Sequence, residues 1–433
     1  MTPVEVGILG IVALLVLLFL RVPVGFSMAI VSLVGTIVLT RNPGPALSSL
    51  GLNVFLITQN FNLSVVPLFV LMGCFLGKAN LGGDLLAVMN ALVGRFKGGL
   101  AMATIGAAAV FSAVCGSVVA AVSTISNVSV PEMKKHKYDE GFAAGCASIS
   151  SATGVVIPPS TALIVYGAVT EESIGAVLMA GIIPGIITMI MLTLTVPIIM
   201  KFMPHLAPPP ITEKIPFPWD KLKIVWVVPV IFLVSMGGIY MGFFTPTEAG
   251  SVGAFMSLVF ALCTRRLNRA AFVDSLKVTV KITGMVFFLL IGGKLFGSFL
   301  ARSLLPMHLS RWIAGLEISP FMIIMVILVI YTFLGLFMDE MATLVIMTPI
   351  IYPVIIAMGY SGIWFGVMSI MMLILGFTTP PVGIVTLVGA SVSGVPSTKV
   401  FKAQWPFWIT IFIACIIVAA FPELSLILPN TLR

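Results

Sequence analysis

Two stretches of this sequence, 222 residues apart, carry the same helix-breaking device inside apolar runs long enough to cross a bilayer. One is Gly154-Val155-Val156-Ile157-Pro158-Pro159-Ser160, and the other is Gly376-Phe377-Thr378-Thr379-Pro380-Pro381-Val382. Proline lacks an amide hydrogen and its ring clashes with the preceding turn, so a Pro-Pro pair unwinds a helix. Carbonyls freed at membrane depth need a partner, and a bound cation is one. Broken helices at matching places in two halves point to a transporter's binding site.

Only 9% of the 433 residues are charged and 59% are hydrophobic, against roughly 25% charged in soluble domains. With apolar runs of about 20 residues from end to end, the chain reads as an all-α polytopic membrane protein. Short alternating strands are not visible, which excludes an outer-membrane barrel. The net charge of +8 comes from basic residues in loops between spans, where they set orientation; it does not point to nucleic acid. Five scattered cysteines show no metal-binding or disulfide spacing. No Walker A loop, HExxH, Ser/His pair or facing aspartates occur, so nucleotide hydrolysis and intramembrane catalysis are not expected. The first span, 4–20, lacks a basic leader and a cleavage site and reads as a retained helix.

The repeat extends beyond the breaks. Pro184 precedes Pro406 by 222 residues, Pro23 precedes Pro246 by 223, and Pro131 precedes Pro349 by 218. Two halves follow, 1–205 and 222–433, joined by a proline-rich linker at 206–221. Expected crossings are 4–20, 24–40, 62–78 and 175–202, then 224–241, 247–264, 282–300 and 404–422. Between them fall re-entrant hairpins at about 99–131 and 320–357, and broken helices at about 140–168 and 362–393. Five crossings per half make these inverted repeats. With the N-terminus outside, eighteen of the 23 basic residues reach cytoplasmic loops, Lys214 among them. Four, including Arg433, stay outside, and Lys294 lies within a span. The first hairpin then opens to the cytoplasm and the second to the outside.

Polar groups at membrane depth are costly and therefore candidates for function. Around the first break these are Ser112, Cys115, Gly116 and Ser117, with Ser148, Ser150, Ser151, Thr153, Ser160 and Thr161 behind them. Membrane serines commonly bond the preceding turn; clustering at a helix break singles out Ser112, Ser117 and Ser160. The second tip holds Asp339-Glu340, acids without a counterpart in the first half. Asp339 either meets a cation or substrate hydroxyl, or caps a half-helix; Glu340 has the same options. Lys294 is expected to snorkel rather than pair with an acid, and Glu248 to cap a helix start. Tip and break carbonyls, with the Thr379 hydroxyl, suit a cation, while half-helix N-termini suit an anion. The layout is that of a cation-coupled importer of a small anion.

These motifs resemble the large membrane subunit of TRAP (tripartite ATP-independent periplasmic) transporters, in the DctM-like group. The carriers are Ser112 to Ser117, Pro131-Glu132-Met133, Gly154 to Ser160 with Tyr166-Gly167, Pro246-Thr247-Glu248-Ala249, and Gly376 to Gly383. The resemblance implies a sodium-coupled secondary transporter of the bacterial inner membrane, N-terminus periplasmic, working as an elevator. A transport domain with both hairpins would slide against a fixed scaffold. It implies a small four-helix membrane subunit and a periplasmic substrate-binding protein as partners. Two Na⁺ sites are implied, the first on Ser112, Cys115, Gly154, Ile157 and Pro159, the second on Gly335, Gly376, Thr379 and Val382. Substrate contacts would fall on Ser117, Ser160, Asp339 and Thr378. Candidate cargoes are C4-dicarboxylates, sugar acids, sialic acids and sulfonates; the alternative is a stand-alone sodium–anion symporter of the same plan. The first tip departs from the common Ser-Gly-Ser in having Cys115-Gly116-Ser117, a change that a carbonyl ligand tolerates. Gly359 to Gly366 also lacks the usual acid and proline, which bears on how the binding protein would dock.

Overall fold

A computed structural model describes residues 1–209, 216–316 and 318–431. Within them are 21 α-helices and no strand. α1 (Pro3–Phe19) starts on a reciprocal Thr2–Glu5 cap and is followed by α2 (Val24–Thr40), α3 (Pro43–Thr58), α4 (Val65–Lys78) and α5 (Leu81–Val93). A helix pair, α6 (Gly99–Cys115) and α7 (Val118–Lys135), precedes the interrupted helix α8 (Glu140–Thr153) and α9 (Thr161–Thr170), then α10 (Ile174–Phe202). Further on are α11 (Trp219–Val225), α12 (Val227–Tyr240), α13 (Pro246–Cys263), α14 (Arg269–Ser303) and α15 (Leu305–Ala314). The second pair is α16 (Pro320–Gly335) and α17 (Glu340–Ala357), the second interrupted helix α18 (Gly362–Thr378) and α19 (Ile384–Ser393), with α20 (Ser397–Ala420) and α21 (Glu423–Thr431) last. Eight helical stretches among the described residues are long and apolar enough to span a membrane. The 140–170 stretch is the most enclosed, 83% buried. Broken backbone is tolerated at membrane depth only where protein or a polar cavity surrounds it.

α14 serves as a ruler. At about 1.5 Å per residue its 35 residues exceed the roughly 30 Å of a hydrocarbon core. α2 runs parallel to it, Gly25 meeting Phe288 and Gly35 meeting Phe299. α1 runs antiparallel, Gly10 against Phe299 and Gly7 against Ser303. The α4 C-terminus meets the start of α14 through Lys78–Asp274 at 2.6 Å. That end also carries Lys399–Glu140 at 2.8 Å and Lys134–Glu140 at 3.5 Å; it is called the basic end below.

The interrupted helices run in opposite directions. α8 starts at the basic end beside Lys399, and α9 finishes at the opposite end, where Glu171 pairs with Lys294. α18 starts at that opposite end, where the Gly362 carbonyl accepts from the Tyr166 hydroxyl at 2.7 Å. α19 finishes at the basic end, where the Ser393 carbonyl accepts from Lys134 Nζ at 3.4 Å. The helix pairs follow suit. α7 ends among Lys134 and Lys135 at the basic end, whereas α17 ends near Tyr352, whose hydroxyl donates to Glu172 Oε1 at 2.7 Å.

Several expectations change. α3 was not foreseen: it starts next to the end of α2 and reaches Ile57, which shares a small cavity with Glu171 and Lys294. Both of its ends therefore lie opposite the basic end, and it adds no passage through the molecule. The expected 282–300 crossing begins at Arg269, because charges at Arg269, Lys277 and Lys281 ride on a helix rather than a loop. Lys294 does not snorkel; it is ion-paired with Glu171 from α14's neighbour. At the start of the expected 206–221 linker, Pro204–Leu206 forms a 3-10 turn, and α11 begins at Trp219 within it. Pro210 and Lys214 of that stretch, and Arg433, lie outside the described residues. Glu248 caps as expected, with Oε2 accepting from the Thr245 amide at 2.8 Å.

Candidate functional site

Both proline pairs stop a helix through the same turn. After Thr153 the helix tightens over Gly154–Val156, and the Ile157 amide donates to the Gly154 carbonyl at 3.1 Å. After α18 the Thr379 amide donates to the Gly376 carbonyl at 3.0 Å. Donor and acceptor are each displaced by 222 residues. Both Pro-Pro peptide bonds are cis. The chain then restarts differently. Ser160 caps α9 by accepting from the Leu163 amide at 3.3 Å, while Gly383, at φ +46°, turns the backbone into α19.

Each break is backed by a helix-pair tip. In the first, Gly116 adopts φ +64° and its amide donates to the Ser112 carbonyl at 3.2 Å. The Thr161 hydroxyl donates to the Gly116 carbonyl at 2.7 Å, pinning the tip to the start of α9. Ser112 lies against Gly154 so closely that a Cβ there would sit 2.6 Å from the Ser112 Cβ. The Ser112 hydroxyl is buried and has no hydrogen-bond partner among the described residues. Buried polar groups are nearly always paired, so an orphan in this position leaves room for a ligand. Pro159 faces the same tip, its carbonyl 3.8 Å from where a Gly116 Cβ would stand, and Ile157 packs on Gly185 of α10. The Cys115 and Val114 carbonyls press on Gly73 of α4.

The second tip repeats the packing with different side chains. Gly335 and Gly376 stand back to back: a Cβ on Gly376 would lie 2.6 Å from the Thr332 carbonyl oxygen and 2.7 Å from the Gly335 Cα. Asp339 caps α17, accepting from the Ala342 amide at 3.0 Å, as a carboxylate at a helix start should. Thr379 donates its hydroxyl to the Leu375 carbonyl and accepts from Trp408 Nε1. Val382 is half-buried in the turn that follows the prolines.

Between the tips lies a cavity of about 730 Å³, walled by Cys115 to Val118, by Asp339 to Met341, and by α4 and α14. It brings Ser117 and Asp339 into one space. Ser160 and Thr378 stay behind its wall, Ser160 as a cap and Thr378 bonded to the Ile374 carbonyl at 2.6 Å. Ser148, Ser150 and Thr153 likewise bond the preceding turn. Along α4 the cavity runs from Val70 to Lys78, and along α14 from Val286 to Ser275, both toward the basic end. At the opposite end, outside the cavity lining, stand the Lys294–Glu171, Tyr352–Glu172 and Tyr166–Gly362 contacts. There the Lys294 ammonium holds the Glu171 carboxyl below its ordinary range. Sequence reasoning named Thr161 among the polar groups of the first broken helix, but missed Cys74 and the α4–α14 wall, whose lining role arises only when distant helices meet. No group of three or more His, Cys, Asp or Glu side chains among the described residues could hold a metal. The oxygens gathered at the breaks are carbonyls and hydroxyls, donors that suit an alkali cation better than a transition metal.

The sequence profile of the family described as tripartite ATP-independent periplasmic transporter, DctM component, matches residues 11–424. The C4-dicarboxylate TRAP transporter large permease protein DctM of Pseudomonas aeruginosa is 31% identical, over 89% of this chain and 90% of the relative. The sialic acid TRAP transporter large permease protein SiaM of Vibrio cholerae is 32% identical, over 96% of each. The isethionate TRAP transporter permease protein DctMQ of Oleidesulfovibrio alaskensis is 30% identical, over 84% of this chain and 57% of the relative. Among solved structures, the YdaH transporter of Alcanivorax borkumensis shares the fold, with a TM-score of 0.60 at 14% identity, covering 84% of this chain and 86% of that one.

Proposed function

Because this chain belongs to the DctM component family of tripartite ATP-independent periplasmic transporters, we propose that it is the large permease subunit of a Na⁺-coupled, binding-protein-dependent importer of small organic acids. The observation that carries the reading is the pair of glycine-packed helix breaks, matched over 222 residues, that flank one cavity. The relatives are named as permeases for C4-dicarboxylates, sialic acid and isethionate, all organic anions, and not as enzymes.

One Na⁺ is held at Ser112, Cys115, Gly154, Ile157 and Pro159, where the unpartnered Ser112 hydroxyl meets the unwound turn. A second is held at Gly335, Gly376, Thr379 and Val382, where two glycines let the tip and the turn approach. Cations there keep the tips closed on the breaks, and the substrate sits between them against Ser117 and Asp339. Ser160 and Thr378 act through the backbone they brace rather than by contact. Residues 1–205 and 222–433 form inverted repeats, a reading supported by the opposed directions of α8–α9 and α18–α19. The tips and breaks move as an elevator against α4 and α14, which form the far wall of the cavity.

Positive charge favours the cytoplasm, so the basic end lies inside and the N-terminus is periplasmic, in the bacterial inner membrane. The cavity then opens inward, away from the Lys294–Glu171 end. A small four-helix subunit and a periplasmic binding protein complete the machine.

The test is uptake into proteoliposomes containing both membrane subunits, with the binding protein added outside. Uptake of a radiolabelled acid is expected to stop when Na⁺ is replaced by choline; unchanged uptake removes the coupling. Transport by this chain alone, without the binding protein, would instead establish a stand-alone symporter.

A further inference from the structure

The importer reading leaves one group at the cavity unused. Asp339 is satisfied, because its Oδ1 accepts from the Ala342 amide at 3.0 Å. Its neighbour Glu340 also lines the cavity, yet Glu340 Oε2 is buried without a hydrogen-bond partner among the described residues. The one basic side chain lining that cavity is Lys78, at the far mouth and paired with Asp274 at 2.6 Å. A buried acceptor left unpaired costs about 1–3 kcal/mol, and more when charged. Its complement has to arrive with the cargo.

We propose that Glu340 accepts a hydrogen bond from a substrate hydroxyl, so that the cavity selects a monocarboxylate bearing hydroxyl groups over a dicarboxylate. The inference rests on the importer reading above. The Asp339 carboxylate beside Glu340 repels a second carboxylate brought to this tip, which discriminates against dianions by charge. The single carboxylate belongs at the other tip, beside Ser117 and Thr161, where the N-terminus of α9 faces the cavity. The remaining polar lining, Ser123, Thr124 and Ser275, carries hydroxyls for a hydroxylated chain; Ser275 donates to the Ala271 carbonyl at 2.8 Å and so offers its oxygen as an acceptor. A site that pairs a substrate hydroxyl rejects the analogue lacking it far more strongly than an apolar pocket rejects a missing methylene.

The experiment uses the purified two-subunit membrane complex in Na⁺-containing detergent, where an inward-open cavity meets the solution directly. Thermal unfolding is followed with D-gluconate, D-glucuronate, hexanoate or succinate at matched concentrations. The hydroxylated acids are expected to raise Tm, and hexanoate and succinate to leave it unchanged. Glu340→Leu should weaken the response to the hydroxylated acids roughly 2- to 13-fold, the equivalent of one hydrogen bond. Glu340→Gln, nearly isosteric, should keep part of that response and gain one to succinate. Na⁺-induced stabilisation of both variants should match the wild type, which shows that the fold and cation sites persist. Succinate stabilising the wild type as well as gluconate does, or neither hydroxylated acid stabilising it, overturns the proposal. So does a Glu340→Gln change confined to Na⁺ half-saturation, which would make Glu340 a cation ligand. Failure of the importer reading shows separately, as missing Na⁺-driven uptake in the complete proteoliposome system.

Discussion

Gly376→Ala separates helix propensity from site packing, because the two predict opposite signs. Gly376 lies in α18, and Gly284 lies in α14 with nothing within 4 Å of an added Cβ. Propensity alone makes either alanine stabilising by about 1 kcal/mol. At Gly376, however, the new methyl would stand 2.6 Å from the Thr332 oxygen and 2.7 Å from the Gly335 Cα, both backbone atoms that no rotamer change can move. Reaching an ordinary contact of about 3.4 Å requires the second tip to retreat by about 0.8 Å, an overpacking strain of typically 1–3 kcal/mol. The retreat widens the gap between Gly335 and the Gly376 turn, where the second Na⁺ is assigned. If the full strain opposes cation binding, Na⁺ affinity falls roughly 5- to 150-fold. The assay is Na⁺-dependent thermal stabilisation of the purified complex, paired with the Na⁺ half-saturation of uptake. Gly284→Ala should match or exceed wild-type stability with unchanged Na⁺ response. A Gly376→Ala protein whose Na⁺ half-saturation stays within twofold of wild type refutes the placement.

Other perturbations follow the same logic. Ser112→Ala removes an unpaired buried hydroxyl, so stability without Na⁺ should hold or rise by up to about 1–3 kcal/mol. Na⁺ affinity should fall in the same variant; titrating Na⁺ against Tm reads both. Thr379→Ala should weaken Na⁺ dependence of uptake more than Ser126→Ala, and equal effects would count against the second site. Trp408 Nε1 keeps the Leu375 carbonyl at 3.3 Å in that variant, which limits damage to the fold. Glu171 is held below its ordinary pKa by Lys294, so its contribution is complete at pH 7 and lost as pH falls through the depressed folded-state value. The Glu171 side chain is 73% exposed, which holds that contribution below about 1 kcal/mol. Accordingly, the Tm difference between wild type and Glu171→Gln should be small at pH 7 and vanish on acidification past the carboxylate range.

Local chemistry made much of the architecture legible. Pro158-Pro159 and Pro380-Pro381 stop helices wherever they are placed, since neither the missing amide nor the ring clash depends on neighbours. Thr245 and Glu248 announced a helix start for the same reason. Misreadings arose where the deciding partner was remote in sequence. Lys294 was expected to snorkel, and Glu171, 123 residues away in sequence, supplied it with an acid instead. α3 falls in 41–61, between the expected crossings 24–40 and 62–78, and starts on Pro43 with Asn42 as its cap.

At the site the division is the same. Sequence alone established that the chain is helical, membrane-embedded and twice broken, because composition, periodicity and proline sterics act within a turn or a span. It also singled out the glycines and serines at those breaks. Only the tertiary structure decided that Ser112 meets Gly154 and Gly335 meets Gly376, that Ser117 and Asp339 share a cavity, and that Ser160 and Thr378 do not. A serine in a membrane helix can bond its own preceding turn or face a neighbour at similar cost. Which it does depends on how closely another helix approaches, and that is set by packing across the whole molecule.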